Sequence, residues 1–529
     1  MTGEPYLSVV VAARNDDHGG NLLGRMQIFV SGWIEQARRY GIASELIIVE
    51  WNPPADRPRL IQALRWPQDL GLCEVRIIEV PPELHAKYAH GDALPLYQMI
   101  AKNAGIRRAR GQFVLATNID ILFSNELAEY LASRRLERGR MYRIDRHDAT
   151  SEVPADAPVE RQLAWCGMHL LRVNRREGSF RVKPDGRPAV EARDAAAPDS
   201  GIVFGRGWFA VESHIPPQFF RWAGESAELL VDGPQEPGVE MVLDIEPGPS
   251  GGHPLQLEIE VAGQAPVCQI LGGRRRLRLR FTAACPKRLM LRTTDTGVRV
   301  CGDPRPLNFR VFHVGWKRGR MAERGGASLE AMLEPVSWTL QAARIRQAFM
   351  HLMRKFAEAG PLVPITVPVS PSVRRFLKFC IGGAERSSAA DPRERAPDFL
   401  HTNACGDFTL LAREHWFDLR GYPEMDLFSM NLDSLFCFAA HYGGASEEIL
   451  SDPMRIYHIE HGSGSGWTPE GQAKLFERIA AKGLSFLGNE EVLAMAAEMR
   501  RLGAPMIFNH EDWGLSGFAL KETVVREQG

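Results

Sequence analysis

The chain has 529 residues, 44% hydrophobic and 24% charged, with a formal net charge of −1 at pH 7. That length suggests about three units of domain size, and the balance is that of a globular protein with a sizeable core. A net charge so near zero supplies no global basic field, so nucleic acid is not an expected partner, and there is no acidic tail.

The opening "MTGEPYLSVVVAARNDD" does not read as a signal peptide: its apolar run is short and ends in Arg14, Asn15 and Asp16. No stretch reads as long and apolar enough to span a bilayer. The eight cysteines are scattered and form no CxxC pair. They read as reduced thiols, and the expected location is cytoplasmic.

"LSVVVAA" suits a strand buried on both faces. "LLGRMQIFVSGWIEQARRYG" has helical spacing with Gly41 as a stop. "ELIIVEWNPP" and "CEVRIIEVPP" follow as strands. "LPLYQMIAKNAGIRRARG" reads as a helix with Leu96, Met99, Ile100, Ala104 and Ile106 on one face. "QFVLATNID" is the next strand. This alternation predicts an α/β fold with a doubly wound, mostly parallel sheet. Ligands of such sheets bind beyond the carboxyl ends of the strands. Polar residues end the strands in that place: Arg14 and Asn15, Glu50 and Asn52, Asn118 and Asp120.

From residue 201 the pattern changes to short alternating segments ("AELLV", "VEMVLDIE", "LQLEIEVAG", "RRLRLRFTA", "RLMLRTT") separated by turns, which predicts an inserted antiparallel β-sandwich over 201–317. The arginines of "RRRLRLRF" read as one strand's wet face, with sugar or phosphate binding as the alternative. Residues 318–397 read as a helical connector and linker: an amphipathic helix at 338–358, suited to docking between domains or to a membrane surface, then a linker at 382–397. Strand–helix character returns over 398–470. Residues 471–529 form a helical tail that docks or covers the site as a lid.

Neither G-x-G-x-x-G nor a P-loop is present: "AARNDDHGGNLLG" and "GSGSGW" fit neither spacing. Taken in order, however, "LSVVVAARND", "ELIIVEWNPP", "AKNAGIRRARGQFVLATNID", "GDFTLLAREHWFDLRGYPE" and "RIYHIEH" resemble the motifs of nucleotide-sugar glycosyltransferases with the GT-A fold, of the family 2 and family 7 type. The resemblance covers residues 5–150 and 398–470. It implies a GT-A catalytic domain, with residues 1–200 as its nucleotide-sugar half and 398–470 as its acceptor half.

The resemblance also implies roles. Asp120 matches the metal-binding end of Asp-x-Asp, with Asn118 as an amide at its first position. His461, or else His458, completes the metal site. Ala13, Arg14, Glu50 and Asn52 face the nucleoside, and Asn103 and Arg107 lie near the diphosphate. Asp433 matches the catalytic base, while Asp407 and Trp467 line the acceptor side. The implied cofactors are Mn²⁺ or Mg²⁺ and a nucleotide-sugar donor, UDP favoured. The partner is a glycan or other hydroxyl acceptor, with peripheral membrane contact left open and the oligomeric state undetermined. The expected activity is an inverting, metal-dependent transfer. A retaining transferase and a catalytically inactive carbohydrate-binding protein are the alternatives.

Each residue also has a plainer reading. Asp120 could cap the helix beginning near Ser124, and Asp433 could be an ordinary first-turn acid. His458 and His461 could be loop histidines bonded to backbone, Asn103 a solvated helix residue, Asp407 and Asp148 turn residues, and Trp51 a packing residue.

Overall fold

The computed structural model describes residues 4–215, 218–234, 239–249, 254–281, 285–294, 303–318, 329–336, 396–462 and 466–526. The chain forms two compact units. One is Met1–Arg187 with Pro397–Gly529, and the other is Pro188–Ala396.

The first unit is mixed α/β. In chain order it runs β1 (Leu7–Ala13), α1 (Leu22–Tyr40), β2 (Ser44–Trp51), β3 (Cys73–Val80), α2 (Gln98–Ile106), β4 (Phe113–Thr117), β5 (Ile121–Phe123) and α3 (Asn125–Ala132). Then come β6 (Arg140–Ile144), β7 (Arg146–Ala149), α4 (Val159–Met168), β8 (Leu170–Arg175) and β9 (Gly178–Arg181). After the other unit come β10 (Phe408–Ala412), α5 (Leu432–Tyr442), β11 (Ser446–Leu450), β12 (Ile456–Ile459), α6 (Gln472–Ala481), α7 (Asn489–Leu502) and β13 (Lys521–Val524).

The main sheet has the order β11-β6-β10-β4-β1-β2-β3-β13. β1 pairs in parallel with β2 and β4, β2 with β3, and β6 with β11, whereas β10 and β13 run antiparallel to their neighbours. Alternate β1 residues enter different cores: Val10 and Ala12 pack with α2 and α5, while Val9 and Val11 pack with α1 and α3. Burial on both faces is why the strand is a continuous apolar run. α1 ends as its sequence predicts, with Gly41 at φ 66° and its N–H returned to Ala37 O and Arg38 O.

A second sheet, β5-β12-β7-β8-β9, completes this unit. The chain steps from the main sheet to the second between Ile144 and Arg146. β12 pairs with β5, which sets His458 opposite Ile121, one residue after Asp120.

The tail is part of this fold and not a lid. β13 forms the edge of the main sheet beside β3, and Trp513 is buried in the core shared with α2 and α5. Among the described residues no helix is long and apolar enough to cross a membrane.

The second unit has two antiparallel sheets, of five and six strands, around one apolar core. It begins and ends outside the expected 201–317. Leu329–Pro335, expected in a helical connector, is instead a strand paired with Arg275–Phe281. Residues 338–358, and 382–395 of the expected linker, lie outside the described residues. Leu277 and Leu279 point into the core. Arg278 and Arg280 both clamp the buried Glu240, at 2.5 and 2.7 Å, and reach Glu334 and Glu330. These two arginines are therefore engaged in cross-strand ion pairs.

Candidate metal centre

β4 ends at Thr117, and the turn Asn118–Asp120 carries the chain into β5. The Ile459 N–H donates to Asp120 O (3.1 Å), which fixes this turn against the end of β12. Asp120 Oδ2 then lies 3.8 Å from His458 Nε2, 3.4 Å from His461 Nε2 and 3.7 Å from Arg25 Nε. One oxygen and two ring nitrogens fall within 4.8 Å of one another. Asp120 is only 8% exposed. It does not cap α3, because Ser124 Oγ itself accepts from Leu127 N.

The electrostatics suit cation binding. Burial would raise the Asp120 carboxyl, but His458, His461 and Arg25 hold it below its ordinary value. Burial pushes the His461 imidazole down to about 4, so near neutrality its ring nitrogen keeps a lone pair for an ion. Burial and Arg146 lower the His458 imidazole, yet Asp148 and Asp120 carry it above its ordinary value. Its Nδ1 faces Asp148 Oδ1 at 3.4 Å, an arrangement that orients a metal-ligating histidine. One carboxylate with two imidazoles fits Mn²⁺ better than Mg²⁺, which favours oxygen donors.

A second cluster, Asp148, His458 and Glu460, also has ligand spacing. Its acids are already engaged. Asp148 is met by Arg146 (2.7 Å), Arg172 and Asn174 (3.1 Å), and Glu460 is met by Arg172. Burial acts to raise Asp148, but Arg146, His458 and Arg172 hold it far below the usual range. This cluster is an ion-pair network supporting the first.

Of the other predicted acids, Asp407 is linked to this centre through Asn118 and Arg146, and Asp433 lies against the neighbouring Gly406. Asn118 Nδ2 donates to Asp407 Oδ1 (2.5 Å), and Gln98 Nε2 donates to Asn118 Oδ1 (2.7 Å). Asp407 is buried and also paired with Arg146 (2.5 Å). Asp407 directly precedes β10, whose first residue Phe408 pairs with Thr117. It therefore sits at the carboxyl end of β4. Asp433 lies in the first turn of α5 and accepts from its neighbour Ser434 N (2.9 Å). A Cβ on Gly406 would lie 2.8 Å from Asp433 Oδ2, so the carboxylate rests directly on that glycine. Asp433 is partly exposed, but dense surroundings raise its carboxyl.

At the ends of β1 and β2, Arg14 Nε donates to Asn52 O (2.7 Å) and Arg14 Nη1 to Asp16 (2.7 Å). Asn52 takes a positive φ of 45°, and Ala13 is a buried strand residue. Glu50 is buried and accepts from Leu60 N (2.9 Å). Trp51 is a packing residue whose Nε1 donates to His85 Nδ1 (2.9 Å). Trp467 is exposed, beside residues 463–465, which lie outside the described set.

Two expectations fail. Asn103 does not face the diphosphate side. It is fully buried, accepts from Tyr422 N (2.8 Å) and donates to Tyr422 O (2.8 Å) and Glu424 (3.0 Å). Its amide satisfies the backbone of the turn at Gly421, where φ is +72° and a Cβ would meet Asn103 Oδ1 at 2.4 Å. Arg107 is held over the rings of Phe417 (5.4 Å) and Trp513 (5.0 Å), so it packs the tail. Both residues are structural clamps.

Arg25, Arg146 and Lys102 escaped the sequence reading. Arg25 pins the loop after β1 by donating to Gly20 O and His18 O (2.7 Å) while facing Asp120. A cavity of about 670 Å³ opens beside His461 and Arg25, lined also by Asn21, Thr150, Glu152 and Glu460.

Glu50 gives a stability test. Burial raises its carboxyl to about 7, against an ordinary value of 4.5. The folded state therefore holds a proton that the unfolded chain releases, and stability is lost as pH rises between those values. Glu50→Gln should be more stable than the parent at pH 8 by roughly 2–3 kcal/mol. The difference should vanish at pH 4, as measured by denaturant unfolding.

No protein-family model matches the chain, and neither does any curated protein.

Proposed function

We propose that this chain is a GT-A-type glycosyltransferase that moves a sugar from a nucleotide-sugar donor to an acceptor hydroxyl, with inversion. One observation carries the reading: Asp120, His458 and His461 converge beyond the carboxyl end of β4, in a mixed sheet whose β1–β4 strands are parallel, the ligand edge of such strands. Asn118, in the same turn as Asp120, bonds Asp407, and Asp433 rests on Gly406, the residue before Asp407. A divalent ion, when bound, would offset negative charge on a departing diphosphate. Asp120 and the two histidines hold their donor atoms toward one point. Asp433 is the residue to take the acceptor proton, and its raised carboxyl lies nearer the working range of a general base. The order of motifs in the sequence supplies the donor class.

Asn118 favours a second reading, a carbohydrate-binding protein without transferase activity. Its amide is spent on Asp407 and Gln98, which leaves Asp120 as the carboxylate of the centre. Thermal unfolding with a panel of nucleotide sugars and Mn²⁺ separates the readings. A donor at 100 times its dissociation constant adds about 2.7 kcal/mol, a rise in Tm of about 2–4 °C for domains of this size. The transferase reading expects that rise to require Mn²⁺ and sugar transfer to accompany it. A rise without transfer supports the second reading, and no rise with any nucleotide sugar removes the first.

A further inference from the structure

Lys102 sits on α2 with no exposed surface. The helical pattern places it off the apolar face, yet its ammonium is inside the protein. Burying an ammonium is costly unless charges and hydrogen bonds compensate. Nζ donates to Gly406 O (2.7 Å), a neutral acceptor that cannot balance a full charge. The compensation must come from the acids around it, Asp407, Asp433 and Asp120, and Asp120 is already faced by Arg25 and the two histidines. Asp407 is already matched by Arg146 and Asn118. Asp433 rests on Gly406, the residue whose carbonyl Lys102 holds.

We propose that Lys102 is the buried counter-ion of Asp433, a positioning residue that keeps this carboxylate ionised and held against the 405–407 turn. The proposal rests on the transferase reading for what Asp433 does, though not for the pairing itself. The other groups facing Asp433 do not replace the charge. From the 405–407 turn come Asp407 and the Cys405 thiol, whose Sγ lies 3.5 Å from the Oγ of the adjoining Ser434. Burial pushes that thiol well above its ordinary value, so it stays a neutral donor. Tyr422 faces Asp433 and Cys437, and burial likewise keeps its phenol neutral. The ammonium is pushed down by burial to about 8, so it remains mostly charged at neutral pH.

A double-mutant cycle tests the pairing on the full chain, read by thermal unfolding at pH 7. Lys102→Gln removes the charge and keeps a donor for Gly406 O; Lys102→Met removes both. Each is made in the parent and in Asp433→Asn. The fall in Tm caused by losing Lys102 should be roughly halved or better in the Asp433→Asn background, because paired sites are non-additive. Folding restored only in that background counts as the same result. Equal falls in both backgrounds, or loss of folding in both, overturn the proposal.

This cycle stands whether or not the protein transfers sugar. Where transfer is measured, the acid limb of kcat in Lys102→Gln should move up by about 1 pH unit, because the opposite charge that lowers the Asp433 carboxyl is gone. A lower kcat with an unmoved limb means Lys102 only shapes the fold, and overturns the proposal.

Discussion

Replacing Asp120 with alanine is expected to abolish metal-dependent donor binding and, with it, transfer. Asp120 is the carboxylate of the cluster, and its oxygen is the atom toward which both imidazoles point. Changing a residue that merely orients a ligand costs about 10–100-fold in metal affinity, so loss of the ligand itself should cost at least about 100-fold. Manganese binding, followed by the electron paramagnetic resonance of free Mn²⁺, checks this without any substrate. Asp120→Asn is the companion variant. It keeps the side-chain volume beside Arg25 and removes the charge, so it should lose Mn²⁺ with a smaller fall in Tm than alanine. Alanine should also lower stability, because the buried Arg25 loses its facing acid. Retained Mn²⁺ affinity in both variants would move the centre away from Asp120.

The parts of this molecule that the sequence reveals are those where local pattern and burial agree. β1 and β2 are continuous apolar runs because both their faces are covered, and Gly41 ends α1 where a left-handed residue is required. Asp120, His458 and His461 stand out because polar residues ending apolar strands need a partner. What stays hidden is non-local. That β12 pairs with β5 across more than three hundred residues is a matter of register, and register decides which imidazole meets Asp120. Asn103 shows the same gap from the other side. Its motif is legible, but which neighbour its amide turns to depends on the turn at Gly421. Lys102 and Arg25 lie on helices whose polar positions read as solvated, and only packing reveals that both are buried. β13 is short and part-polar because it is an edge strand, and so it read as tail.

Asp433→Asn should separate binding from chemistry. Asp433 is not one of the clustered metal-ligand residues, so Mn²⁺ and donor affinity should stay at parental values. On the transferase reading, the acceptor hydroxyl loses the group that takes its proton, and general-base catalysis is worth about 10²–10⁴-fold. Transfer should fall within that range in kcat, with little change in the donor KM, because the lost interaction forms only as the proton moves. The asparagine retains an oxygen that can accept from Ser434 N and rest on Gly406, so the local packing has no reason to open. Stability should fall, since the neutral side chain removes the charge facing the buried Lys102, and is measured alongside so that loss of transfer is scored on folded protein. An active Asp433→Asn enzyme would instead point to a retaining mechanism, which needs no such base, and the anomeric configuration of the product, read by proton NMR, would then decide between the two. Inversion in the parent together with an inactive variant assigns the proton transfer to Asp433.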